Sequence, residues 1–175
     1  TVNNVAPSDL SLSLTAATID EHGTTTLSGN FADPGTLDAH TVTIDWGDGS
    51  PATTLNLTAR VLNFTTPAHQ YLNNLPADAA YTVSVTITDA GSASVMGGTS
   101  VTVKNVAPSN LSLNLTSATI GDNGTTTLSG SFADPGTLDT HTVTVDWGDG
   151  STATTLNLAA GVLTFTTPAH QYLNN

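Results

Sequence analysis

Apolar and polar positions alternate along most of this chain with a period of two. Leu10, Leu12 and Leu14 are separated by Ser11 and Ser13, and His40, Val42, Ile44 and Trp46 by Thr41, Thr43 and Asp45. Tyr81, Val83, Val85 and Ile87 alternate with Thr82, Ser84, Thr86 and Thr88, and Val101 and Val103 follow the same rule. Successive side chains of a strand point to opposite faces, so each run predicts a strand with one apolar and one wet face. Threonine, β-branched and polar, suits the wet face of an antiparallel sheet. Turn-forming clusters separate the runs: Asp20-Glu21-His22-Gly23, Asp33-Pro34-Gly35, Gly47-Asp48-Gly49-Ser50-Pro51 and Asp89-Ala90-Gly91. No stretch keeps a 3.6-residue apolar period long enough for a helix.

The pattern occurs twice. Val106-Ala107-Pro108-Ser109 restates Val5-Ala6-Pro7-Ser8, Phe132 to Asp139 restates Phe31 to Asp38, and Trp147 to Ser151 restates Trp46 to Ser50. Thr166 to Asn175 copies Thr65 to Asn74 unchanged. Roughly four in five aligned positions agree without an insertion. The predicted fold class is all-β: tandem immunoglobulin-like antiparallel sandwiches of about seven short strands, with the second copy truncated. Residues 1–4 read as the tail of a preceding repeat, 5–105 as a complete first repeat, and 106–175 as a second repeat lacking its last strands. The missing counterpart of Tyr81 to Asp89 lies mid-sheet in such a sandwich. The strand from His141 to Trp147 is therefore expected to show an apolar face and an open edge unless further chain or another chain supplies the strands.

Composition narrows the function. Two Lys and Arg stand against fourteen Asp and Glu, for a net charge of −12 over 175 residues. Such a surface repels phosphate backbones, which sets nucleic acid aside as a partner. Cysteine is absent, so disulfides and thiolate metal sites are excluded. No apolar run is long enough for a membrane-spanning helix. Scarce lysine, abundant threonine and missing cysteine suggest an extracellular or cell-surface protein. Four Asn-x-Thr triplets, at Asn56, Asn63, Asn114 and Asn123, are no more than so Thr- and Ser-rich a chain produces by chance.

Ile44-Asp45-Trp46-Gly47-Asp48-Gly49-Ser50, then His69-Gln70-Tyr71, then Tyr81 to Asp89 follow one another in an order and spacing that resemble the PKD repeat. The second copy carries the first two of these elements, through Gln171 and Tyr172. The resemblance implies an immunoglobulin-like sandwich of extracellular and cell-surface proteins, used as spacer, adhesion unit or accessory to secreted enzymes.

Each chemistry-bearing residue has a structural alternative. Asp48 and Asp149 sit in Gly-Asp-Gly turns, where aspartate bonds nearby amides and glycine supplies positive φ. Asp33 and Asp38, with Asp134 and Asp139, are the candidate calcium ligands, since their loop offers two carboxylates plus threonine and carbonyl oxygens. Otherwise they are turn formers on a solvated loop. A strand from His40 to Trp46 spans roughly 20 Å, so Asp33 and Asp48 lie at opposite ends and cannot share an ion. The loop at Asp33 is instead expected beside Asp89-Ala90-Gly91 and the start of the module. His40, His69, His141 and His170, without placed carboxylate or thiolate partners, read as packing residues rather than zinc ligands. Trp46 and Trp147, in phase with their valines, read as core tryptophans rather than sugar platforms, and Tyr71 as a corner tyrosine bonding backbone.

No acid, base and nucleophile constellation recurs, so the chain is expected to be non-enzymatic and to require no cofactor, calcium being the one candidate. The expected function is a structural repeat of a long extracellular fibre, filament, stalk or adhesin, with stiff modules assembling end to end. Its expected partners are neighbouring copies of itself, through end-to-end or strand-completing contacts. The alternative is a calcium-dependent adhesion or carbohydrate-binding module that engages surface glycans or proteins through multivalency.

Overall fold

The computed structural model describes residues 3–173, and these fall into two compact units, residues 3–105 and 106–173. Among its described residues the first unit holds ten strands: β1 (Ser8–Leu14), β2 (Thr18–Asp20), β3 (Thr24–Thr25), β4 (Leu27–Ala32), β5 (His40–Asp45), β6 (Thr53–Leu57), β7 (Asn63–Thr65), β8 (His69–Gln70), β9 (Ala80–Asp89) and β10 (Ser94–Lys104). A single 3₁₀ turn covers Pro76–Asp78, and no α-helix occurs among the described residues. The all-β expectation is met.

Three sheets form in this unit, in the orders β1-β4-β7, β2-β10-β9-β5-β6 and β3-β8. The alternating faces meet in one apolar core. Leu27, Phe31 and Phe64 enter it from the three-stranded sheet. Val42, Ile44, Val83, Val85, Ile87, Val101 and Val103, each fully buried, enter it from the five-stranded sheet. Burial of one such side chain is worth about 1.5–3 kcal/mol, so the period-two pattern is the main specification of the fold. The arrangement is consistent with a β-sandwich.

One pairing departs from the antiparallel expectation. The chain leaves β1 in one sheet and enters β2 in the other, where Thr18, Ile19 and Asp20 run parallel to Thr102, Val103 and Lys104 of β10. A backbone crossing between sheets leaves its amides without a ladder, and the buried Thr25 hydroxyl supplies the missing bonds. It accepts from the Ala16 amide (3.2 Å) and donates to the Ala16 carbonyl (2.9 Å). A bulge between Ser8 and Ser11 sets Asp9 at φ 53°, and the second unit places Asn110 there at 55°. Asp and Asn are the side chains that best tolerate this left-handed region.

The second unit repeats the front of the first: β11 (Ser109–Leu115), β12 (Thr125–Thr126), β13 (Leu128–Ala133), β14 (His141–Val145), β15 (Thr154–Leu158), β16 (Thr164–Thr166) and β17 (His170–Gln171). These form sheets β11-β13-β16, β12-β17 and β14-β15. Within the described residues β14 pairs with β15 alone, whereas β5 is flanked by both β6 and β9.

Candidate functional site

The Gly-Asp-Gly turn after β5 is a closed network. Gly47 and Gly49 take φ of +78° and +80°, a conformation that glycine adopts without penalty. A Cβ at Gly47 would also collide with the Thr82 carbonyl oxygen. Asp45 Oδ1 accepts from the Gly47 amide at 2.9 Å. Asp48 Oδ1 accepts from the Ser50 amide (3.0 Å) and the Ser50 hydroxyl (2.5 Å), while its Oδ2 is 2.8 Å from His69 Nε2. Burial opposes charge on Asp48, but the Ser50 bonds and His69 outweigh it and hold the carboxyl below its ordinary range.

The His69 ring stacks on Trp46, with centroids 4.4 Å apart and planes 4° from parallel. Trp46 is buried and donates from Nε1 to Thr53 Oγ1 at 2.9 Å. Tyr71, fully buried, donates to the Trp46 carbonyl at 3.0 Å and meets His69 edge-on at 4.8 Å. Burial, followed by the charges of Asp48, Tyr81 and Asp45, pushes the Tyr71 phenol well above its ordinary range. Tyr71 is thus the corner tyrosine, and Trp46 a core tryptophan, as the sequence pattern indicates.

The polar groups of this cluster bond to one another and to the backbone of the turn. The Ser50 hydroxyl donates to the carboxylate, whereas a nucleophilic serine must donate to the histidine. His69 Nε2 faces Asp48, and its ring is fixed between two aromatic neighbours. The second unit rebuilds the arrangement. His170 Nε2 lies 2.9 Å from Asp149 Oδ2, its ring stacks on Trp147 at 4.5 Å, and Tyr172 donates to the Trp147 carbonyl at 3.0 Å. Bonds from the Ser151 hydroxyl and amide, then from His170, lower the Asp149 carboxyl to about 2.

At the other end of β5 stands a second His–Asp pair. Asp33 Oδ2 is 2.9 Å from His40 Nε2, with both side chains fully buried, and Asp33 Oδ1 accepts from the Gly35 amide at 2.6 Å. His40 Nδ1 has no hydrogen-bond partner among the described residues, so the ring makes its polar contact through Nε2 alone, to Asp33. The carboxylates of Asp33, Asp38 and Asp89 each place an oxygen within 4.8 Å of the others. Asp33 and Asp38 are thereby brought together beside the loop that holds Asp89, where the sequence places them. Asp89 accepts from Asn4 Nδ2 (2.9 Å) and the Ala93 amide (3.0 Å). Burial opposes its charge, yet these bonds, one from the Gly91 amide and the charge of His40 hold its carboxyl below the ordinary range. Three carboxylates suit a hard cation, although the oxygens of Asp33 and Asp89 already accept hydrogen bonds.

Asp134 and Asp139 occupy the equivalent loop of the second unit. Asp134 Oδ2 is 2.9 Å from His141 Nε2, and the Asp139 amide donates to the Gly136 carbonyl at 3.1 Å. The four histidine–aspartate pairings correct the view of these histidines as lacking carboxylate partners. The signal for Asp33–His40 is local, seven residues apart across one loop. The Asp48–His69 pair is 21 residues apart and joins two loops, which no short-range pattern reveals. No helix among the described residues is long and apolar enough to cross a membrane. Compared with known proteins, the chain matches no family model and no curated protein.

Proposed function

We propose that this chain is a non-enzymatic structural repeat of a long extracellular fibre, filament or cell-surface stalk. Its PKD-like, immunoglobulin-like modules act as stiff beads whose partners are further copies of the same module. One observation carries the reading: in both units the aspartate and histidine of the Gly-Asp-Gly turn are bonded to each other, and the corner tyrosine is bonded to backbone. Asp48, Ser50, His69 and Tyr71 close one turn, and Asp149, His170 and Tyr172 close its duplicate. Duplication of a scaffold suits length and spacing, where stability adds from module to module.

The parallel β2–β10 pairing fits a load-bearing role. β2 lies near the start of the first unit and β10 at its end, so tension along the chain draws these strands past one another. The pairs Thr18↔Thr102, Ile19↔Val103 and Asp20↔Lys104, with the Glu21 amide donating to the Lys104 carbonyl (3.1 Å), then resist together in shear. Pro7 and Pro108 restrict the backbone leading into each repeat. Single-molecule extension tests this. The expected trace shows a discrete unfolding step of the first unit, with a contour gain on the order of 30 nm; a featureless extension refutes the mechanical reading.

The Asp33–Asp38–Asp89 cluster favours a second reading, a calcium-dependent adhesion module that gains strength from repetition. On that reading calcium raises the melting temperature of the chain and Asp38→Asn abolishes the rise. No calcium response in the unmodified chain removes this alternative.

A further inference from the structure

One turn of the second unit has a backbone that selects its own residues. Gly121 to Gly124 close a four-residue turn in which the Gly124 amide donates to the Gly121 carbonyl at 2.8 Å. Its third residue, Asn123, takes φ 61°. A positive φ at this place favours glycine and asparagine. The fourth position has no room for a side chain, since a Cβ on Gly124 would stand 2.7 Å from the Gly121 carbonyl oxygen and 2.9 Å from Ile120 Cβ. The backbone thus suits asparagine followed by glycine, and the chain has this pair nowhere else. Every other asparagine up to Asn174 is followed by Asn, Val, Leu or Phe.

That pair is reactive. The amide nitrogen after an asparagine can close a five-membered ring on its Cγ, and glycine alone brings no side chain to obstruct the approach. Asn123 is exposed and Gly124 half-buried. The Gly124 amide must first release Gly121, which a surface turn does by local opening without unfolding the unit. The first unit holds the same turn, with the Gly23 amide donating to the Asp20 carbonyl at 2.8 Å and His22 at φ 62°. An imidazole has no amide to lose, so the duplicate turn is an internal control.

We propose that Asn123–Gly124 is a self-modifying site, at which the asparagine is deamidated through a cyclic imide. The Gly124 nitrogen gives up its proton and bonds to Asn123 Cγ, the Cγ–Nδ2 bond breaks, and Nδ2 leaves as ammonia. Water then opens the imide at either carbonyl. One opening leaves aspartate at this position. The other leaves its isoaspartyl isomer, in which the main chain runs through Cβ and Cγ.

The two products differ in their effect on the fold. Aspartate tolerates this backbone, as Asp9 at φ 53° shows. The isoaspartyl link adds one carbon to the main chain where two bonds tie the turn to the end of β17. Gln171 Nε2 donates to the Asn123 carbonyl at 2.9 Å, and the Tyr172 amide to the Gly124 carbonyl at 3.1 Å. Tyr172 is the corner tyrosine of this unit, so the modification reaches the residue that bonds the Trp147 carbonyl. Either product adds one negative charge. The inference is independent of what the modules assemble into.

The test holds the folded 175-residue chain in mildly alkaline buffer at physiological temperature and maps its peptides by mass spectrometry, with isoaspartate-specific methyl labelling alongside. Expected is one acidic species carrying an amide-to-acid exchange at position 123, ahead of conversion at any other asparagine, with isoaspartyl product present. Asn123→His, which installs the residue that His22 supplies in the equivalent turn, abolishes that species and retains the fold. In the isolated isoaspartyl form, hydrogen exchange is expected to show lost protection of the Tyr172 amide. The Tyr71 amide, which donates to the Gly23 carbonyl at 3.1 Å, keeps its protection. Three results overturn the inference: Asn123 intact when other asparagines have converted, an aspartyl product with no isoaspartyl partner, or an acidic species undiminished in Asn123→His. Unchanged exchange at Tyr172 in the isoaspartyl form overturns its link to the corner.

Discussion

Tyr71→Phe removes one oxygen and leaves the packing of the ring in place. Phenylalanine retains the contacts with His69 at 4.8 Å and Tyr81 at 5.0 Å but cannot donate to the Trp46 carbonyl. Tyr71 is fully buried, so water does not replace the lost donor. A buried acceptor left without its bond costs about 1–3 kcal/mol, and we take about 1.5 kcal/mol as the expected loss for the first unit. For a domain of about a hundred residues this lowers the melting temperature by roughly 6–12 °C. Tyr172→Phe deletes the same bond in the second unit, where the tyrosine is only half-buried and solvent reaches the carbonyl, so its cost is expected to be clearly smaller. Urea unfolding followed by tryptophan fluorescence measures both, because each unit contains one tryptophan. Trp147→Phe isolates the first unit and Trp46→Phe the second. A Tyr71→Phe loss below about 0.5 kcal/mol, or equal losses in the two units, would refute the claim that the corner hydroxyl is a buried obligatory donor.

Other expectations follow from the same contacts. The phenol of Tyr71 is raised above its ordinary 10.0, so its contribution is complete below pH 10 and declines as pH climbs above that value; alkaline unfolding should be shallower in Tyr71→Phe than in the parent. The Asp149 carboxyl is lowered from 3.8 to about 2, so its stabilisation is full above pH 3.8 and is lost as pH falls toward 2. Ser151→Ala should raise that carboxyl in a carbon-detected NMR titration, and an unchanged value contradicts the assigned bonds. A Cβ at Gly29 would stand 2.5 Å from two Phe64 ring carbons, so Gly29→Ala is expected to destabilise the first unit by about 1–3 kcal/mol in the same urea assay. Unchanged stability there means that Phe64 is not held against β4.

The strands were legible where both faces kept their chemistry. β5 and β9 lie where Val42, Ile44, Val83, Val85 and Ile87 alternate with threonine and serine, because burial of one face dominates every other preference there. β10 was legible only at its end. Its first half runs through Met96, 72% exposed, and Gly97 and Gly98, which lack side chains to mark a face. Gly97 lies where Leu10 packs against the strand, a contact between distant segments that leaves no periodic trace. The parallel β2 strand was hidden for a related reason: three residues carry no pattern, and only β10 makes them a strand. Asp33 and Asp38 read as one loop cluster from their spacing, and the order of strands in a sandwich places the Asp89 loop beside them. The pairing of each histidine with its own aspartate was not legible, since the Asp48–His69 bond joins loops that converge only in the fold.

Electron microscopy of purified material, with the mass of the polypeptide determined alongside, tests the central claim most directly. The modular reading predicts beaded filaments of regular spacing, formed from linked copies of the sandwich. Isolated particles that form no filament, and that bind calcium or glycan instead, would contradict it.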